Sequence, residues 1–217
     1  MNIRTEEIEE YLEAIYKARV DGTAHSGDVA ARLGQPPSET EKFLRELRAI
    51  GLVIVDGPAV TLTDKGELAA LAVVRKHRLS ERFLTDFLGL SWEKAHEEAC
   101  RFEHIISEDI EEGLERLLDN PDTCPHGHPI PAKDGTITEA PSRPLADFGA
   151  SKRVRIVKVF EDDPQMLKYL ATLGLLPDVD LKVEEVGPFN GPLLISVGAA
   201  QYALGRDVAG QIMVRAI

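Results

Sequence analysis

Residues 75–104, RKHRLSERFLTDFLGLSWEKAHEEACRFEH, restrict this chain more than any other stretch. Two helix-forming segments meet at Gly89, and each carries side chains that ligate divalent transition metals. His77 and Glu81 are four residues apart. His96, Cys100, Glu103 and His104 follow at i, i+4, i+7 and i+8, which puts all four on one face of a helix with about 3.6 residues per turn. Imidazole, carboxylate and thiolate on a shared face make a ligand set for such a metal. A salt-bridged surface helix accounts for the glutamates, with Arg75, Lys76, Arg78 and Arg101 close by, but not for His96, Cys100 and His104 sharing a side. Neither His77–Glu81 nor Cys100–Glu103–His104 completes an octahedron, so further donors must come from elsewhere in the chain. Glu10 is one candidate; Asp162, Asp163 and Gln165 are others. Taken alone, Glu10 reads as one more charge on the acidic face EEIEEYLE.

Upstream of this stretch, Ile8, Leu12, Ile15 and Tyr16 repeat at helical spacing within residues 3–20, with Tyr11 beside them and Asp21-Gly22 as the stop. Ser26 is the expected N-cap of a short helix through Leu33, closed by Gly34. PPSETEKFLRELRAIG runs to Gly51 with Phe43, Leu44, Leu47 and Ile50 as its buried stripe. Two β-rich runs about Asp56-Gly57 predict a hairpin. Three helices followed by a hairpin make the winged helix-turn-helix pattern. On the third helix, Ser38, Glu39, Glu41, Lys42, Arg45 and Arg48 point away from the stripe. Lys42, Arg45 and Arg48 reach phosphates or guanine edges in such a motif, and Glu39 can accept from cytosine N4. A three-helix protein-interaction module has the same hydrophobic pattern, which does not separate the two.

Lys65–Leu88 has helical apolar spacing. Ser91 then N-caps a second helix running to about Leu118. Trp92, Phe102, Ile105, Ile106, Ile110, Leu114 and Leu117 give that helix more apolar surface than a lone helix pair covers, which predicts a homodimer built on it and on the end of the preceding helix. Residues 122–150, DTCPHGHPIPAKDGTITEAPSRPLADFGA, read as a linker to a loosely tethered module. Within them, Cys124-Pro-His126-Gly-His128 is half a zinc site without its partner half, and equally a tight turn. RVRIVKVF, a short helix DPQMLKYLATLGL, and the runs DLKVEEV, PLLISV, QYALG and QIMVRAI then predict a small β-barrel. The fold class is thus mainly α with β, with expected domains at 1–73, 74–140 and 150–217.

The formal charge is 25 − 37 = −12, which argues against a chain that coats nucleic acid non-specifically and leaves room for a local basic face. The two cysteines, Cys100 and Cys124, read as ligands or plain thiols rather than a disulfide. No apolar run is long enough to span a bilayer, and MNIRTEEIEEYLEAIY is too acidic for a secretory signal, so the expectation is a cytoplasmic protein without membrane attachment. There is no phosphate-binding glycine loop, HExxH or nucleophile elbow. A metal-dependent hydrolase and a metal-independent winged-helix protein are the alternatives. The winged-helix head makes a sensor the simpler explanation than an enzyme.

RKHRLSERFLTDFLGL, HEEACRFEHIISEDIEEGLERLL and CPHGHPIP resemble the diphtheria-toxin-repressor group of metal-dependent transcriptional repressors, in the same domain order over the whole chain. The resemblance implies a winged helix that binds double-stranded operator DNA through Ser38, Glu39, Lys42, Arg45 and Arg48. It implies a central dimerisation domain with two metal sites per subunit for Mn2+ or Fe2+, and an SH3-like last domain. An ancillary site would use His77, Glu81 and His96 with Asp163 and Gln165; a primary site would use Glu10, Cys100, Glu103 and His104. Iron-sensing members carry methionine where this chain has Glu10. Manganese-sensing members carry a carboxylate there but lack the cysteine, so the chain is a hybrid. Some members also ligate through the Cys and His of a CPH turn, here Cys124 and His126.

Overall fold

The computed structural model describes residues 5–20, 24–160 and 163–217, Val20 by its backbone alone; Ile3, Arg4 and the expected Asp21-Gly22 stop lie outside them. The chain divides into two compact units. The first comprises Met1–His77, Glu103–Ile106 and Pro131–Ile137, and the second Arg78–Phe102, Ser107–Ile130 and Thr138–Ile217. The expected central domain is therefore shared between them.

In the first unit, α1 (Thr5–Val20), α2 (Ser26–Leu33) and α3 (Pro37–Ala49) precede a hairpin of β1 (Val53–Asp56) and β2 (Ala59–Leu62), registered from Val53↔Leu62 to Asp56↔Ala59. Leu12 and Ile15 of α1 meet Val29, Leu44 and Leu47 in a closed core, where each large apolar side chain contributes about 1.5–3 kcal/mol. Tyr11 stacks on Phe43 with centroids 4.2 Å apart, which ties α1 to α3. Ile50 departs from the expected stripe: it is the C-cap of α3 and is exposed. The N-cap of α2 is His25, not Ser26, because the Asp28 carboxylate reaches back to accept from the His25 amide at 3.1 Å. Gly34 closes α2 in the left-handed region, φ 60°.

α4 (Asp64–Asp86) starts in this unit. Thr63 fixes its entry, donating to the Gly51 carbonyl at 2.8 Å and accepting from Gly66 N at 3.1 Å. Gly66 lies so close to the preceding loop that a Cβ there would sit 2.0 Å from the Leu52 carbonyl oxygen.

The second unit holds α5 (Trp92–Phe102) and α6 (Glu108–Leu117). The expected single helix over 91–118 is thus two helices. A 3-10 turn, Glu103–Ile105, follows α5, and the Ser107 side chain accepts from Ile110 N to start α6 afresh. Ile106 and Leu114 are buried, whereas Ile110 and Leu117 of α6 and Phe87 and Leu88 after α4 are exposed.

The expected linker is an ordered strap held by arginine side chains on backbone carbonyls. In the second unit, Arg78 donates to Pro129 O at 2.5 Å and Arg82 to Thr123 O at 2.8 Å; in the first, Arg75 donates to Pro131 O at 2.7 Å. The CPHGH turn is fastened to the barrel: Val159 N donates to His126 O at 3.0 Å and the His128 ring to Val159 O at 2.8 Å. Gly127 (φ 87°) has no room for a side chain, since a Cβ would meet Val157 O at 2.1 Å.

The barrel begins earlier than expected. β3 (Arg143–Pro144) pairs with β8 (Ile212–Ala216), and Leu145 and Phe148 are in its core. β4 (Lys152–Val159), β5 (Asp180–Val186), β6 (Leu193–Val197) and β7 (Ala200–Leu204) complete a six-stranded sheet of order β3-β8-β4-β5-β6-β7. α7 (Pro164–Thr172) packs on α5, and Trp92 packs against the barrel core. That docking, with the strap, replaces the loose tether expected from Pro and Gly content. Among the described residues, no helix is long and apolar enough to cross a membrane.

Candidate metal centre

Acidic side chains of α1 face the 3-10 turn within the first unit. Glu9, Glu10 and Glu13 occupy i, i+1 and i+4 on α1. The His104 ring sits between the first two: Nδ1 is 2.8 Å from Glu9 Oε2 and Nε2 is 3.1 Å from Glu10 Oε1. Glu103 Oε1 is 3.5 Å from the same Nε2. The other Glu103 oxygen is 2.5 Å from Nδ1 of His77. Donor atoms of Glu13, His77 and Glu103 all lie within 4.8 Å of one another, and all three residues are buried.

Burial pushes the Glu103 carboxyl up to about 7; the His77 hydrogen bond opposes this, and Glu13 adds repulsion. Burial pulls the His104 imidazole down, but hydrogen bonds to Glu9 and Glu10 outweigh it and the net shift is upward. The pocket thus gathers anionic groups whose mutual repulsion a cation relieves. Donors within 4.8 Å of one another are close enough for small shifts to bring them onto one ion, since ligands on opposite sides of an octahedron with bonds of about 2.1 Å are about 4.2 Å apart. Glu13, His77 and Glu103 offer carboxylate oxygens and an imidazole nitrogen, donors that manganese(II) and iron(II) accept.

A second cluster belongs to the second unit. Glu81, fully buried on α4, has Oε1 at 2.9 Å from Nδ1 of His96 and 3.3 Å from Nδ1 of His126. Donor atoms of Glu81, Cys124 and His126 lie within 4.8 Å of one another. The Cys124 sulfur is 3.9 Å from the His126 ring, which Trp92 meets edge-on at 5.1 Å. One carboxylate, two imidazoles and a thiol also fit a divalent transition metal, with softer character than the first cluster.

His77 and Glu81 share a face of α4; His77 meets Glu103, and Glu81 meets His96 and His126. His96 and Cys100 keep their common face on α5, but Glu103 and His104 leave it, because the helix gives way to the 3-10 turn at Glu103. Both cysteines are free thiols, Cys100 half-buried and Cys124 buried. Asp163 is the exposed N-cap of α7 and accepts from Gln165 N and Met166 N at 2.8 and 3.3 Å. Both bonds go to Oδ1, and among the described residues Asp163 joins no donor cluster. Gln165 is exposed, and Asp162 lies outside the described residues. Sequence reasoning missed Glu9 and did not place Glu13 among the ligands; the i, i+1, i+4 spacing on α1 was the available signal. It left Cys124 and His126 open, and the arginines that dock the strap were the clue.

On α3, Ser38, Glu39, Lys42, Arg45 and Arg48 are all exposed, while Thr40, Phe43, Leu44 and Leu47 point into the core.

Comparison with known proteins bears on both units. Residues 4–58 match the iron dependent repressor N-terminal DNA binding domain, 63–132 the iron dependent repressor metal binding and dimerisation domain, and 143–216 the FeoA domain. The chain is 33% identical to the iron-dependent repressor IdeR of Mycobacterium leprae, over all of both proteins. It is 36% identical to the diphtheria toxin repressor of Corynebacterium diphtheriae over 70% of this chain and 72% of that one. A solved manganese-dependent transcriptional repressor in complex with manganese superposes with a TM-score of 0.90 at 34% identity, covering 97% of this chain and all of the other.

Proposed function

The chain belongs to the iron-dependent, diphtheria-toxin-repressor family, and from that premise we propose how its residues turn metal binding into operator binding. It is a metal-dependent DNA-binding transcriptional repressor that works as a homodimer, with manganese(II) or iron(II) as effector. Its role is regulatory and not enzymatic, and its place of action is the cytoplasm.

The observation that carries the proposal is Glu103, buried between His77 and His104, with Glu9 and Glu10 of α1 on the same histidine. Glu10, Glu13, His77, Glu103 and His104 hold one ion; Glu81, His96, Cys124 and His126 hold the other, with Cys100 next to His96 on α5. The bound cation supplies positive charge that cancels repulsion among these carboxylates. α1 is part of the winged-helix core through Leu12 and Ile15, so fastening Glu10 and Glu13 to the 3-10 turn sets the head's orientation. In a two-fold dimer the recognition helices must lie about 34 Å apart, one turn of DNA. Metal binding then shifts the population toward dimers with that spacing. Carboxylates are the commonest donors proposed for the first ion, a hard set, so manganese is the preferred effector and iron(II) the second.

The test is binding to an operator duplex, selected from random sequences by the manganese-loaded protein, at buffered free manganese or, anaerobically, iron(II). Glu10→Ala should raise the activating concentration of both metals and leave folding intact. Glu10→Met should move the preference toward iron(II). A Glu10→Ala response identical to wild type would make Glu10 a surface charge and leave Glu13 as the link to α1.

The exposed cations of α3 make the DNA contacts. Lys42→Ala and Arg45→Ala should each weaken operator binding and shrink the slope of log affinity against log salt by about 1 per lost phosphate contact, with metal affinity unchanged. Wild-type affinity and slope in both variants would place the DNA on another surface.

A further inference from the structure

We propose that Glu9 is a positioning residue for the metal centre: it holds the Nδ1 proton of His104 and so commits Nε2 to the metal. The inference rests on the assignment of His104 as a ligand. A neutral imidazole ligates through one nitrogen and donates from the other, and the partner of the second fixes both tautomer and ring orientation. Here the two sides of the ring differ. Nε2 faces the carboxylates of Glu10 at 3.1 Å and Glu103 at 3.5 Å, two groups of the first cluster. Nδ1 points away from them, to Glu9 Oε2 at 2.8 Å. A carboxylate oxygen only accepts, so the metal-free ring donates to Glu9 from Nδ1 and to Glu10 from Nε2; were an ion to take Nε2, the proton lost would be that one, and Nδ1 would keep its N–H on Glu9.

Sequence neighbours on a helix lie about 100° apart, so Glu9 and Glu10 cannot approach one face of the ring together and instead bracket it from either side. The His104 side chain is 6% exposed and that of Glu9 21%, which leaves the Glu9–His104 contact largely screened from water. Without Glu9, the Glu10 carboxylate is the remaining strong acceptor, and it draws the ring proton to Nε2, the nitrogen the metal needs. Glu9 therefore acts on affinity through His104 and not by ligation.

The experiment uses the full-length protein with manganese alone as the probe, free ion being read from its paramagnetic resonance signal. Glu9→Ala should weaken manganese binding by about 10–100-fold, and Glu9→Gln by less, because its amide oxygen still accepts from Nδ1. Nitrogen-15 shifts of the His104 ring, recorded metal-free at a pH where the ring is neutral, should move toward the Nε2–H tautomer in Glu9→Ala and stay near wild type in Glu9→Gln. A purely structural role would not move that tautomer. Undiminished manganese affinity in Glu9→Ala overturns the proposal. Lost affinity with an unchanged tautomer makes Glu9 a direct ligand and also overturns it. His104→Ala separates this from the parent assignment: wild-type affinity there removes His104 from the site altogether.

Discussion

Glu103→Gln should raise the free manganese needed for half-maximal operator binding by on the order of 100-fold, with the metal-free protein still folded. The expectation is large because Glu103 is in contact with both His77 and His104, and it is only 1% exposed. Glutamine keeps the volume, and its amide oxygen still accepts from His77, so the packing survives. What disappears is the anion that would face the proposed cation in a buried site. Alanine at the same position is the less informative variant. It removes the Glu103 side of the buried Glu103–His77 pair, and breaking such a pair costs about 3–5 kcal/mol of stability by itself. Operator anisotropy at buffered manganese, with circular dichroism as the folding control, makes the measurement. A Glu103→Gln curve superimposed on wild type would remove Glu103 from the metal centre and with it the central contact of the first cluster.

The second large effect is on stability and has opposite signs at two glycines. Gly66→Ala and Gly113→Ala both replace glycine within a helix, α4 and α6. Helix propensity alone gives each a gain of about 1 kcal/mol. At Gly113 nothing lies within 4 Å of the added carbon, so that gain should appear. At Gly66 the carbon would sit 2.0 Å from the Leu52 carbonyl oxygen and 3.0 Å from its carbon, both backbone atoms that cannot rotate aside. The first turn of α4 must then move away from the segment leading into the hairpin, and the Thr63 bond to the Gly51 carbonyl moves with it. The net cost should be about 2–3 kcal/mol, or roughly 4–12 °C in Tm for a chain of this size. Thermal denaturation of the two variants beside wild type checks it. A Gly66→Ala protein as stable as Gly113→Ala would mean that α4 and the Leu52 backbone are not in close approach.

The sequence by itself determined the elements and their order. Apolar periodicity marked α1, α3 and α4, the Asp56-Gly57 turn marked the hairpin, and short alternating runs marked the barrel strands. These signals are local: one face of a helix or strand must be buried, and spacing reveals which. The same locality identified the residue types able to bind metal, His77, Glu81, His96, Glu103 and His104 among them. It failed where local rules compete. The helical spacing that continued past Cys100 hid the turn at Glu103, because the capping of Ser107 on Ile110 outweighs periodicity there. The Pro and Gly content of the strap stood for freedom, yet three arginine side chains and the close approach of Gly127 to β4 hold it in place. Tertiary structure alone decided which ligands meet. His104 finds Glu9 and Glu10 across some ninety residues, at separations of 95 and 94, and Glu81 finds His126 through the docked strap. No periodicity encodes such encounters, since they depend on how helices and turns pack around a common core. The burial that lifts the Glu103 carboxyl to about 7 arises from that packing as well.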